Sequence, residues 1–252
     1  MAKAKRGGGV LSGRRIVVTG AGSGMGRAIA ERFAAEGAQL ALTDLNEKAL
    51  KSVSRRCGAF AFAADVSSEK DIAKFITRSA RELKGIDGIV NAAGIYENIP
   101  FGQIAPARWQ HMLGVNLNGP YLICHFALPH LRRAKQATIV NISSTSFLSP
   151  NPGMVHYASS KGGVIGLTRA LAIELAPKVR ANAIVPGTIR TSLTRALYPN
   201  EKALETAAAG RTPAGRIGEP EEIAESGLFL TSAASSFITG TIITVAGGNP
   251  VY

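Results

Sequence analysis

The amino-acid sequence predicts a doubly wound α/β domain, a mostly parallel sheet of seven strands with helices on both faces. Three observations carry that expectation. Short apolar runs recur along the chain, most of them followed by a helix-length stretch, the pattern of strands covered on both faces. The first run opens directly into a glycine-rich turn, Thr19-Gly20-Ala21-Gly22-Ser23-Gly24-Met25-Gly26. The second run ends on an acid, Asp44, about 20 residues farther on, where a dinucleotide-binding sheet holds a ribose. A (β/α)8 barrel has a similar length, but the glycine turn and the acid favour the open sheet, whose ligands lie at the strands' carboxyl ends.

Taken in order, the expected strands are residues 16–18, 40–42, 59–64, 86–90, 139–142, 183–185 and 242–245. Each is short, apolar and bounded by turn formers or serines. Glycines between the first strand and its helix let a phosphate approach the backbone at the helix N-terminus. That helix runs through Phe33 and stops at Gly37. Residues 68–83 read as an amphipathic helix. Small residues after the fourth strand, Asn91-Ala92-Ala93-Gly94, leave room for a flat ligand. Residues 106–129 read as one or two helices carrying Asn116, an amide that is a packing liability in apolar surroundings unless hydrogen-bonded. Residues 155–175 form a helix that Pro177 stops, and Glu219-Pro220-Glu221-Glu222 opens the last one. The polar segment 190–218 has no clean periodicity and reads as a mobile lid. With the loop 95–104 it is expected to shape a substrate pocket. No internal repeat or second domain is visible, so residues 1–13 read as a disordered basic leader and 14–252 as one dinucleotide-binding and catalytic domain.

Composition narrows the function classes. The net charge of +12 raises nucleic acid as a partner. Five of the basic residues, however, sit without an acid in the first fifteen positions, and elsewhere the signs are interspersed. An anionic cofactor or substrate accounts for the remaining bias. No apolar run reaches membrane-spanning length. No signal-peptide core opens the chain, so a cytoplasmic protein is expected. Cys57 and Cys124 form no CxxC pair, and the four histidines have no ligand spacing, so no metal site is expected. His156 is expected to be incidental to its neighbour.

The chemistry centres on residues 138–161. Tyr157 and Lys161 lie four apart on one helix, hence on one face. A free phenol has a pKa of roughly 10, and a lysine one turn away is expected to lower it. Ser144, at the strand's carboxyl end, supplies a hydroxyl to hold a substrate oxygen. The trio suits proton transfer to or from an alcohol or carbonyl.

Assembled, these motifs resemble the short-chain dehydrogenase/reductase family over about residues 14–249. The glycine turn matches TGxxxGxG of its single-domain branch, Asp65-Val66 its adenine-contacting pair, Asn91-Ala-Ala-Gly94 its NNAG and Pro186-Gly187 its PG motif. Asn116, Ser144, Tyr157 and Lys161 match its catalytic tetrad. The resemblance implies that Tyr157 is the general acid/base, that Lys161 tunes it and holds the nicotinamide ribose, that Ser144 orients the substrate oxygen, and that Asn116 holds a relay water. Thr191 would touch the nicotinamide carboxamide or a phosphate. The cofactor-binding set it implies is Gly20, Ser23, Gly24, Met25, Gly26, Asp44, Leu45, Asp65, Val66, Asn91, Ala92, Gly94, Tyr157, Lys161, Pro186, Gly187, Ile189 and Thr191. Three departures stand out: Ala92 replaces the second Asn, the turn before Arg180 is about a residue short, and Ala246 stands where members often have Asp.

The expected activity is hydride transfer between a nicotinamide cofactor and a secondary alcohol or ketone. 3-Oxoacyl thioesters, sugars or polyols, steroids and cyclic alcohols are all open as substrates. NAD is the expected cofactor, with NADP possible, because Asp44 suits a ribose diol and repels a 2′-phosphate, and Ser23 stands where a basic residue might bind that phosphate. Arg27 and Lys48 are the nearest basic residues in sequence. The family usually forms homotetramers, and one is expected here. A nucleotide-sugar epimerase would want TGxxGxxG and an added C-terminal domain. A catalytically weak dinucleotide-sensing protein is opposed by the intact tetrad.

Overall fold

The structure is a computed structural model and describes residues 8–249. Its strands are β1 (Arg15–Thr19), β2 (Gln39–Thr43), β3 (Phe60–Ala61), β4 (Gly88–Asn91), β5 (Ala137–Ile142), β6 (Val179–Pro186) and β7 (Ile242–Val245). They form one sheet in the order β3-β2-β1-β4-β5-β6-β7, every neighbouring pair parallel. Winding proceeds outward from β1 in one direction and then from β4 in the other. The crevice between those two strands is therefore where such a sheet receives ligands.

The helices in chain order are α1 (Gly24–Ala35), α2 (Glu47–Cys57), α3 (Glu69–Glu82), α4 (Pro106–Leu113), α5 (Gly119–Leu131), α6 (Val155–Glu174), α7 (Ser192–Arg195), α8 (Glu201–Arg211) and α9 (Pro220–Thr231). Alternation along each strand feeds two cores. Ile16 and Val18 face Ile29 and Phe33 of α1, Leu50 and Val53 of α2, and Ile223 and Leu228 of α9. Val17 faces the other way, into a core with Phe75 of α3, Ile123 and Leu131 of α5, and Ala172 of α6. Both faces are thus dry, which is why the strands read as continuous apolar runs.

Four expectations change. The strand expected over 59–64 shrinks to Phe60–Ala61, pairing only with β2 at the sheet edge. Helix α2 was not anticipated; Asn46 caps it by accepting from the amide of Ala49 at 3.0 Å. The lid segment folds into α7 and α8, with Asn200 capping α8 through the amide of Ala203. The leader boundary at residue 13 also moves. Leu11 is fully buried, and the amides of Val10 and Leu11 donate to the side chain and the carbonyl of Glu36 at 2.8 and 3.1 Å. Residues 1–7 of the expected leader lie outside the described residues.

Candidate active site

The crevice begins at the carboxyl ends of β1 and β4. Thr19 Oγ1 accepts from the amides of Ala92 and Ala93, both at 3.1 Å, and so joins the two strand ends. The turn that follows is shaped by close approach. A Cβ on Gly20, whose φ is +65°, would lie 2.7 Å from the backbone of Ala93, and one on Gly26 would lie 2.2 Å from the carbonyl oxygen of Gly20. Ser23 begins α1 without a side-chain cap, and no acid occupies the first helical turn. The first amides of α1 are therefore left for an external acceptor, and the helix terminus favours a negative charge. Asp44 closes the adjoining end, accepting from the amides of Gly22 at 2.9 Å and Asn46 at 2.8 Å. Glycine walls, uncapped amides and a fixed carboxylate fit the pyrophosphate and ribose of a nicotinamide dinucleotide.

Beyond the crevice stands α6, fixed to the sheet by a buried polar thread. Asn91 Nδ2 donates to Asn141 Oδ1 at 2.8 Å, Asn141 Nδ2 donates to Thr168 Oγ1 at 2.9 Å, and Thr168 donates to the carbonyl of Val164 at 2.7 Å. Asn91 and Asn141 are register partners on β4 and β5, so the thread runs from sheet to helix with little freedom. Ser143 Oγ adds a bond to the carbonyl of Lys161 at 2.8 Å.

Asn116 lies in a π-helical turn, Gly114–Asn118, between α4 and α5. It is buried, but its hydrogen bonds are made. Oδ1 accepts from the amide of Ile95 at 2.9 Å, while Nδ2 donates to the carbonyl of Ile95 at 3.0 Å and to Ser160 Oγ at 3.1 Å. Ser160 in turn donates to the carbonyl of Tyr157 at 2.7 Å. The Asn116 and Lys161 side chains converge on Gly94, where a Cβ would lie 3.3 Å from Asn116 Oδ1 and 3.4 Å from Lys161 Nζ.

Lys161 is buried, and its Nζ donates to the carbonyl of Ile142 at 3.0 Å. Burial alone pushes its pKa down to about 8. Tyr157 keeps part of its ring open to the cleft, yet crowding around the hydroxyl raises its pKa, partly offset by the Ser144 hydroxyl. The net shift of the phenol is therefore upward here, not the lowering expected from a neighbouring lysine. The ammonium is turned toward Ile142 and stands 5.9 Å from the Tyr157 ring centroid, and desolvation of the phenolate outweighs the Ser144 hydrogen bond.

Comparison with known proteins fits this geometry. A family model described as enoyl-(acyl carrier protein) reductase matches residues 20–249. A crystal structure from Brucella melitensis described as a short-chain dehydrogenase/reductase, glucose/ribitol dehydrogenase, superposes with a TM-score of 0.91 at 38% identity, covering 98% of this chain and 99% of that one. The chain belongs to the short-chain dehydrogenase/reductase family. Another relative in the family, a 3-oxoacyl-[acyl-carrier-protein] reductase of Thermotoga maritima, is 36% identical over 94% of this chain and 98% of its own. A Brucella melitensis 3-ketoacyl-(acyl-carrier-protein) reductase complexed with NADH superposes with a TM-score of 0.88 at 32% identity, covering 95% and 99% of the two chains.

Most of the short-chain dehydrogenase/reductase motif residues border one cleft. Gly20, Ser23, Gly24, Met25 and Gly26 line it with Asp44, Leu45, Asp65, Val66, Ala92, Gly94 and Thr191. Tyr157, Ser144 and Gly187 face an adjoining cleft on the lid side, and Pro186 ends β6 beside it. Two residues of the expected set point elsewhere. Asn91 is buried with its Nδ2 donating to Asn141, and Ile189 is buried against Gly218. Sequence reading missed His111 and Val115 in the first cleft and Asn151 in the second, where Tyr96, Tyr198 and Arg211 come from the two segments expected to shape a substrate pocket, 95–104 and 190–218, though none was singled out. Of these, Tyr96 had the clearest local signal, through its place just after Asn91-Ala-Ala-Gly94. Among the described residues, no group of three or more His, Cys, Asp or Glu side chains stands together as a metal would require.

Proposed function

We propose that this NAD(P)-dependent oxidoreductase works through Tyr157 as its proton-transferring group and uses NAD in preference to NADP. The observation that carries the reading is the convergence of Asn116, Lys161 and the Tyr157 helix on the end of the glycine-walled crevice. When bound, the nicotinamide supplies the hydride acceptor or donor. In oxidation of a secondary alcohol, the phenolate of Tyr157 takes the hydroxyl proton as the carbon gives up its hydride; reduction reverses both transfers. Ser144 holds the substrate oxygen toward the phenol. Asn116, already bonded to Ile95 and Ser160, orders the polar groups behind it. Lys161 holds the ribose hydroxyls, and its buried ammonium is poised to exchange a proton near neutrality. Asp44 selects NAD by accepting from the ribose diol, a reading supported by the NADH bound to the Brucella reductase.

A homotetramer is supported by large apolar side chains left at the surface of α5, α6 and α9, namely Tyr121, Val155, Ile173 and Phe229. A cytoplasmic setting accords with Cys57 and Cys124 standing as free thiols. No helix among the described residues is long and apolar enough to cross a membrane. Absorbance of the reduced nicotinamide, followed with both cofactors in both directions over oxoacyl thioesters, sugars, polyols, steroids and cyclic alcohols, tests the reading. Tyr157→Phe is expected to lose turnover by about a hundredfold to ten-thousandfold while keeping cofactor affinity, the range that general acid/base catalysis contributes. Full activity in that variant overturns the assignment.

A further inference from the structure

His156 precedes the proposed catalytic tyrosine and is fully buried, yet neither of its ring nitrogens has a hydrogen-bond partner. Facing it is Glu97, whose Oε2 is also buried and unpartnered. The two atoms, His156 Nε2 and Glu97 Oε2, are 3.9 Å apart. Buried polar groups are rarely left unpaired, and here the missing partners face one another. Glu97 is aimed from behind: its other oxygen accepts from Arg108 Nη1 of α4 at 2.9 Å.

The residues around Glu97 tie a strap, residues 95–99, across the start of α6. Ile95 is gripped on both sides by Asn116. The Tyr96 ring meets the Tyr157 ring edge-on, centroids 5.0 Å apart and planes at 79°. Asn98 Nδ2 donates to the carbonyl of Pro152 at 2.9 Å, and the amide of Ile99 donates to the carbonyl of Gly153 at 2.9 Å. Tyr96 and Tyr157 share the lid-side cleft, so the strap's position fixes one wall of it.

We propose that Glu97 and His156 are positioning residues that latch this strap onto α6. The Nε2–H of His156 donates to Glu97 Oε2 once the gap closes by about 1 Å to ordinary hydrogen-bond length. The latch acts through Tyr96, setting where that ring stands against Tyr157 and hence where a substrate carbon is held. His156 is thus not incidental to its neighbour. It fixes the wall against which its neighbour works, and Arg108 keeps the carboxylate aimed. The kinetic consequence rests on the function proposed above; the mechanical one does not.

Amide hydrogen exchange on the protein alone, read over peptides covering 95–104, tests the mechanical part. His156→Phe keeps a ring but no donor, and Glu97→Ala removes the acceptor. Each is expected to speed exchange of the strap at least tenfold while the sheet and the rest of α6 keep their protection. The double variant should add nothing, and His156→Gln, which restores an N–H, should recover most of the loss. Unchanged strap exchange in His156→Phe, multiplicative losses, or loosening spread through the whole chain would each overturn the latch. On any substrate the panel reveals, His156→Phe is expected to raise KM about tenfold with kcat within twofold. An equal loss in kcat would instead make the residue part of the proton path and refute a positioning role. If no substrate turns over, the proposed function fails, and the exchange data still decide the latch.

Discussion

Replacing Lys161 with methionine should make the protein more stable at neutral pH while destroying its proposed activity. The Lys161 ammonium is buried, and its pKa falls from 10.5 to about 8. At 1.36 kcal/mol per unit, folding a charged Lys161 costs about 3 kcal/mol. Against this, its hydrogen bond to the carbonyl of Ile142 contributes about 1 kcal/mol. The Lys161→Met variant should therefore gain about 2 kcal/mol at pH 7, or about 4–8 °C in Tm for a chain of this size. The sign of the pH dependence is fixed. The unfolded chain holds this proton up to about pH 10.4, whereas the folded one releases it near pH 8. Between those values the unfolded state binds more protons, so the wild-type protein gains stability as pH rises. The penalty is fully present below that window and is relieved across it. The variant's advantage should thus shrink from about 2 kcal/mol at pH 7 to nothing just below pH 10. Equilibrium urea unfolding of both proteins without cofactor, at one protein concentration and several pH values, measures it. A variant less stable at pH 7, or an advantage that ignores pH, refutes the reasoning.

Other outcomes are open to direct measurement. Asp44→Ala should move the kcat/KM preference toward NADP by removing like-charge repulsion; a wild-type protein already faster with NADP would mean the carboxylate does not read the ribose. Thr168→Val breaks the polar thread at a buried end and should cost about 1–3 kcal/mol in unfolding free energy, whereas an unchanged midpoint would show that Asn141 finds another acceptor. Sedimentation should give a tetramer at micromolar protein, and a stable monomer would leave the exposed apolar residues of α5, α6 and α9 without a role.

What could be read from the chain alone was whatever depends on close spacing. The glycine turn and the Tyr157–Lys161 pair are local patterns, and backbone geometry converts each directly into a site. Asp44 was legible because a parallel strand must deliver its last residue to the crevice. Helix α2 was passed over although Leu50, Val53 and Cys57 stand at i, i+3 and i+7 and pack on one core; the stripe is only three residues long and lies among charged and polar neighbours. Residues 59–64 have the composition of a strand, but only Phe60 and Ala61 pair in register at the sheet edge; beyond them the segment keeps single bonds, from the amides of Phe62 and Ala64 to the carbonyls of Leu42 and Asp44. The pairing of Tyr157 and Lys161 was legible, but the net direction of the phenol's shift was not. Spacing brings two side chains to one face, while desolvation depends on what the rest of the fold packs around them. Glu97 and His156, 59 positions apart, meet only because α6 and the strap fold together.

The π-helical turn at Gly114–Asn118 restricts how this chain can change its length. An extra residue in a helix rotates everything beyond it by about 100°, and α5 is built on that rotated register, with Ile123, Ala127 and Leu131 turned into the core. Deleting a residue of the turn would straighten the helix and rotate Ile123, Ala127 and Leu131 of α5 away from the core. A deletion there would have to be matched by an insertion within the same turn. In a lineage of such enzymes, the segment between Leu113 and Gly119 should drift by substitution alone, its length held fixed by the helix that follows it.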